Sequence, residues 1–242
     1  MKYYKITNTD ECHKGLQYKT GLNIDPKPWN PRGDCESGGI YFAKGDILSF
    51  LNYGPYIREV TIPADAQVYK NPGTPEKWKA NKVILGRRRK ITAEVVKELI
   101  AEGAKATEDV INGAAYNGHL DVVKVLLSAG AKATEDALDW AAYKGHLEVV
   151  KVLLEAGAKA TEDALDMAAC YGYLEIVKIL LSAGAKATDY ALRWAARNGH
   201  LEVVNVLLSA GAKPTEDALN MAAIYGYLEI VKVLEAARKE KK

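Results

Sequence analysis

The chain has 242 residues, 48% of them hydrophobic and 26% charged. That is ordinary for a folded chain and excludes disorder, collagen or one long coiled coil as a description of the whole. No stretch approaches the roughly 18–20 apolar residues that span a bilayer, and the start MKYYKITNTDECHK lacks an apolar signal core. No membrane partner is therefore expected, and the cytoplasm or nucleus is the expected setting. Cys12, Cys35 and Cys170 form neither an even set nor a CxxC pair, so reduced thiols are expected. A formal net charge of +2 hides an asymmetry. Residues 1–90 carry 16 Lys and Arg against 9 Asp and Glu, and residues 91–242 carry 17 against 22. Seven of the eight prolines and both phenylalanines also precede residue 91, which places a boundary near Arg87-Arg88-Arg89-Lys90.

Residues 1–90 show no internal period. Alternation and turn residues predict strands at Tyr3–Thr7, Gly39–Ala43, Tyr56–Ile62, Ala66–Lys70 and Lys82–Leu85, a helical segment at Asp46–Tyr53, and a loop over 26–39. The fold class expected is multidomain, a small α+β domain over 1–90 followed by an all-α solenoid. Chemistry in the first domain would have to use His13, its only histidine, with Cys12, Cys35, Asp34 or Glu59, and Cys35 with His13 is the one nucleophile-and-base pair available. No nucleophile elbow, P-loop or HExxH accompanies them, so no catalytic residue is assigned. The order His13, strand GGIYFA, acidic residue is similar to ADP-ribosyltransferase folds, yet Glu59 and Glu76 lack that family's surrounding motif. An enzyme of thiol or ADP-ribosyltransferase type in 1–90 is thus the competing reading. Nucleic-acid binding by the basic domain, with Tyr3, Tyr4, Trp29, Tyr41 and Trp78 stacking bases, is a further alternative. No metal site or cofactor is expected: Cys12 and His13 are adjacent, and His119, His146 and His200 lie far apart along the chain.

Residues 91–242 are periodic. Glycines recur at 103, 130, 157, 184 and 211 and again at 118, 145, 172, 199 and 226, both sets at a spacing of 27. One unit reads TEDALDWAAYKGHLEVVKVLLEAGAKA (134–160). Thr134 suits a helix N-cap and Glu135 and Asp136 suit the positive end of the helix dipole. Ala137, Leu138, Ala141 and Ala142 make one apolar stripe that Gly145 ends, and Val149, Val150, Leu153 and Leu154 make a second that Gly157 ends. Five helix pairs are expected at 107–130, 134–157, 161–184, 188–211 and 215–238. A half-repeat over 91–105 precedes them and is expected to cover one end of the core, and the polar tail EAARKEKK (235–242) is expected to make the other end polar.

The stretch GHLEVVKVLLEAGA (145–158) resembles the second helix of ankyrin repeats, and ALDWAAYKGH (137–146) resembles the stretch before it. The 27-residue unit is six shorter than that family's usual 33. Only Gly157–Ala160 separate one helix from the next cap, which predicts a solenoid without β-hairpin fingers. The strings ECHKGLQYKTGLN, GDCESGGIYFAKGDILSFLNYG and REVTIPADAQVYKNPGTPEKWKANKVILG resemble the domain found ahead of the repeats in giant-virus, Mimivirus-type, ankyrin-repeat proteins. The resemblance implies protein–protein interaction, in the cytoplasm or nucleus of a virus-infected cell.

Two alternations of period 54 overlie the repeat: Trp140, Met167, Trp194, Met221 and His146, Tyr173, His200, Tyr227. Duplication of a two-repeat block, with large side chains packing between neighbouring repeats, is the expected account of both, with Trp140 and Trp194 buried; a functional stripe of alternating Trp and Met is the alternative. Three first-helix positions vary: Asn112, Asp139, Asp166, Arg193, Asn220; Tyr116, Tyr143, Cys170, Arg197, Ile224; and Asn117, Lys144, Tyr171, Asn198, Tyr225. Varied side chains on a constant frame are how a solenoid presents a binding surface. Tyr116, Asp139, Tyr143, Lys144, Asp166, Tyr171, Arg193, Arg197, Asn220 and Tyr225 are accordingly expected to bind another protein.

Overall fold

A computed structural model describes residues 2–31, 38–73 and 75–240. The chain forms two compact units, one of Met1–Ala114 with Lys124–Ala131, the other of Ala115–Val123 with Lys132–Lys242.

Among its described residues the first unit opens with ten strands: β1 (Tyr3–Thr7), β2 (Cys12–His13), β3 (Leu16–Gln17), β4 (Gly21–Ile24), β5 (Ile40–Phe42), β6 (Tyr56–Thr61), β7 (Val68–Asn71), β8 (Lys77–Ala80), β9 (Lys82–Leu85) and β10 (Arg89–Lys90). These strands pair antiparallel, in the order β1-β6-β9-β4 with β10 also on β6, and separately β5-β8-β7 and β2-β3. Tyr18, Ile40, Phe42, Val60, Ala80, Val83 and Leu85 form the core. The segment expected to be helical is a 3-10 helix, Ile47–Tyr53.

The strands absent from the sequence reading have an unusual pattern. In β4, Asn23 is buried and bonds the backbone of Lys19 and Gly21, whereas Leu22 and Ile24 are exposed. In β8, Lys79 is fully buried with its ammonium on the Asn30 carbonyl at 2.7 Å. Polar-in strands defeat a search for apolar alternation. The basic run is likewise structural: Arg89 and Lys90 pair with Ile57 and Tyr56, and the Arg88 guanidinium lies 4.3 Å from the Tyr56 ring centre.

A buried ion pair ties the unit together. Arg58 donates two hydrogen bonds to Glu11, at 2.8 and 2.6 Å, and a third to the Gly86 carbonyl at 2.6 Å. The Thr7 hydroxyl also donates to Glu11. Arg58, outweighing burial, holds the Glu11 carboxyl below its ordinary range. The strands also meet the first helical turns of the same unit: Tyr4 Oη donates to Glu102 at 2.7 Å and Lys105 pairs with Asp46 at 3.0 Å.

Eleven helices follow among the described residues: α1 (Ala93–Ala101), α2 (Glu108–Tyr116), α3 (Leu120–Ser128), α4 (Glu135–Lys144), α5 (Leu147–Glu155), α6 (Glu162–Cys170), α7 (Leu174–Ser182), α8 (Asp189–Arg197), α9 (Leu201–Ser209), α10 (Glu216–Ile224) and α11 (Leu228–Glu240). No strand occurs among described residues beyond Lys90. The sequence signals operate as chemistry requires. Thr134, Thr161, Thr188 and Thr215 accept the amide hydrogens of Ala137, Ala164, Ala191 and Ala218 at 2.8–3.3 Å. Gly157 takes φ +95°, a left-handed value that closes the helix pair and costs other residues energy. In the second unit α4, α6, α8 and α10 pack side by side, with α5, α7 and α9 as a second layer. Buried pairs such as Ala141 and Ala142, Ala168 and Ala169, and Ala195 and Ala196 permit this close approach.

The polar tail extends α11, and Arg238 reaches Glu216 at 2.6 Å. Ile224 on α10 and Leu228 on α11 stay exposed.

Candidate interaction surface on the first helices

The period-54 row of Trp and Met is not a buried seam. Trp140 is 46% exposed and Met167 41%, while Trp194 and Met221 are half-buried. This corrects the expectation that the tryptophans pack inside. The buried positions of α4, α6 and α8 are taken by alanine and leucine, and the large rings stand outward on the helices.

There they join the variable rows. Tyr116 meets Trp140 edge-on at 5.5 Å and stacks on Tyr143 at 6.5 Å; Tyr143 meets Tyr171 at 5.2 Å, and Tyr171 stacks on Tyr173 at 6.0 Å. Lys144 lies over Tyr116 and Tyr143, with centroid distances of 4.5 and 5.1 Å. Further along, Arg193 lies over Tyr190 and Arg197 over both Trp194 and Tyr225. Between the two clusters the Asn198 amide donates to the Cys170 carbonyl at 2.7 Å and touches its sulfur at 3.4 Å. Burial raises the Cys170 thiol pKa, so the group stays a thiol. The Tyr143 hydroxyl beside Tyr171 pushes that phenol up to about 12.

Of the residues expected to bind, Tyr116, Tyr143, Lys144, Tyr171, Arg193, Arg197 and Tyr225 are brought into this band, and Asn220 is exposed on α10. Asp139 and Asp166 have a different place. Both are half-buried, and each accepts the hydroxyl of a cap in the next repeat, Thr161 and Thr188 respectively. Desolvation raises both carboxyl pKa values. They fasten repeats together.

Tyr190 was not among the expected residues. Its signal is an interruption of the repeat: Asp136, Asp163 and Asp217 occupy the same position elsewhere.

The other alternation is structural. His146 and His200 each place Nε2 3.1 Å from a carbonyl of the preceding repeat, those of Tyr116 and Cys170. Tyr173 fills the equivalent place against Gly145.

In the first unit a cleft of about 130 Å³ is lined by residues including Lys5, Cys12, His13, Tyr18, Tyr41 and Lys77. Burial, reinforced by Lys5, lowers the His13 pKa. Glu59 does not line this cleft and pairs instead with Lys2. Cys35 and Asp34 lie outside the described residues. No group of three or more His, Cys, Asp or Glu among the described residues is placed to hold a metal, and no described helix is long and apolar enough to cross a membrane.

An array of paired helices with a constant interior and a varied outward band is the construction of a helical-repeat interaction protein. A family model described as ankyrin repeats, three copies long, matches residues 88–164, 114–190 and 165–242, and the chain belongs to that family. Ankyrin repeats mediate protein–protein interaction. A protein named as an ankyrin repeat protein of Acanthamoeba polyphaga mimivirus is 35% identical over 126 residues, which cover 49% of this chain and 63% of the relative. An uncharacterized protein of the same virus is 42% identical over 90 residues, 36% of this chain and 65% of the relative. Another of its ankyrin repeat proteins is 42% identical over 100 residues, 36% of this chain and 33% of the relative. The chain spans less than two thirds of each of these relatives.

Proposed function

We propose that residues 91–242 act as a non-enzymatic recognition module that binds another protein along its first helices, with residues 1–90 forming a separate functional domain. The continuous band from Tyr116 to Tyr225 carries this reading. Aromatic rings with guanidinium groups on their faces supply large, rigid contact area with directional donors, which is the make-up of binding hot spots. The opposite face offers a contrast, because Lys151, Lys178 and Lys232 are each engaged by a glutamate three residues earlier.

The test is partner capture by the intact chain, followed by alanine substitution. Tyr143→Ala and Arg197→Ala should each weaken binding by about 1–3 kcal/mol, whereas Lys151→Ala and Lys178→Ala should leave it unchanged. Equal losses from both sets would place recognition in diffuse electrostatics. Retained binding after deletion of 91–242 would move it to the N-terminal part.

A further inference from the structure

Resting on that reading of the first-helix face, we infer that its partner is an extended segment of another protein carrying two acidic positions about five or six residues apart with an uncharged, apolar stretch between them. Three cations lie on the band, Lys144 at one end and Arg193 with Arg197 at the other, and each is held over aromatic faces. Among the described residues none of the three has a carboxylate at ion-pair distance, whereas the second-helix lysines Lys151, Lys178 and Lys232 all do. A cation resting on a ring has its stem immobilised and its charge available, so an arriving carboxylate meets a preorganised donor.

The spacing follows from the stack. Lys144 belongs to the α4 repeat and the two arginines to α8, with α6 packed between them. At the usual 8–10 Å between packed helices, the axes of α4 and α8 are about 16–20 Å apart, which sets the scale of the separation between the two charge sites. An extended chain rises about 3.3 Å per residue, which puts the matching acids about five or six positions apart.

The middle of the band selects against a uniform polyanion. Helix α6 has no lysine or arginine; it carries Met167 and Cys170, is capped by Tyr171, and bears the half-buried Asp166 carboxylate, which accepts the Thr188 hydroxyl. A phosphate backbone would set repeated negative charge against Asp166 without a local cation. A peptide that is acidic only at its ends avoids this and places apolar side chains on Met167 and the rings.

A display library of random twelve-residue peptides, selected on the immobilised intact chain, tests the inference. Recovered peptides should carry Asp or Glu pairs five or six positions apart, and replacing either acid by its amide should weaken binding about tenfold. Lys144→Ala should abolish the preference for the acid at one end and the double variant Arg193→Ala, Arg197→Ala the preference at the other, while Lys151→Ala changes nothing. Peptides without spaced acids whose binding is still lost in Tyr143→Ala would overturn the acidic spacing and leave the face intact. Recovery of no peptide, or only of peptides indifferent to Tyr143→Ala, would overturn both. Oligothymidylate binding more tightly than any peptide, and losing affinity in the same variants, would assign the band to single-stranded nucleic acid.

Discussion

The imidazole of His146 lies against Gly118, thirty residues from its hydrogen-bond partner, the Tyr116 carbonyl 3.1 Å away. A Cβ at Gly118 would fall 2.5 Å from that ring. The same relation joins His200 to Gly172, so the glycine serves the turn and also seats a ring from the following repeat.

Gly172→Ala should therefore be costlier than Gly157→Ala. Both glycines have positive φ, at +75° and +95°, and share a backbone penalty of about 1–2 kcal/mol. A Cβ at Gly157 meets nothing within 4 Å, whereas one at Gly172 meets His200. Denaturant unfolding should show a difference of about 1–3 kcal/mol between the two variants, the cost of overpacking. Equal midpoints would remove the seat from the account of the alternating row.

Trp194→Ala should be milder than a core truncation in the same helix. The indole is half-buried and in contact mainly with Tyr190 and the two arginines, whereas Leu192 is fully buried. Leu192→Ala should cost about 2–5 kcal/mol, and Trp194→Ala less than half of that. A similar loss from both would return the tryptophan row to the core.

Asp166→Asn should stabilise the array at neutral pH. Burial raises the folded-state carboxyl pKa above the ordinary Asp value, so the aspartate contributes most while protonated and loses that contribution as pH rises through the raised value. The amide keeps an acceptor for the Thr188 hydroxyl without a buried charge. Thermal midpoints measured against pH should show the variant's advantage at pH 7 and its disappearance toward pH 3.

Glu11→Gln should have the opposite profile. Arg58 depresses the Glu11 pKa, so the stability it provides is present above the ordinary glutamate range and is lost as pH falls through the folded value. Leaving Arg58 buried beside an amide should cost about 3–5 kcal/mol at pH 7. Wild type and variant should converge in acid, as followed by unfolding of the intact chain.

The sequence alone determined the helical array. A strict 27-residue spacing of glycines, a threonine before every first helix and two apolar stripes per unit are local signals, and each works within a few residues of itself. Strands such as Tyr3–Thr7 and Lys82–Leu85 were legible for the same reason, since their apolar residues face a common core. The variable rows were also visible, because variation against a constant frame needs no coordinates to detect. What only the tertiary structure decided depends on partners remote in the chain. Asn23 and Lys79 became interior residues of strands because backbone carbonyls are there to satisfy them. Asp139 and Asp166 sit at the seams between repeats because a threonine hydroxyl arrives twenty-two residues later. Trp140 and Met167 were turned outward because the alanine pairs bring neighbouring helices too close to enclose them, and that distance is set by packing rather than by composition.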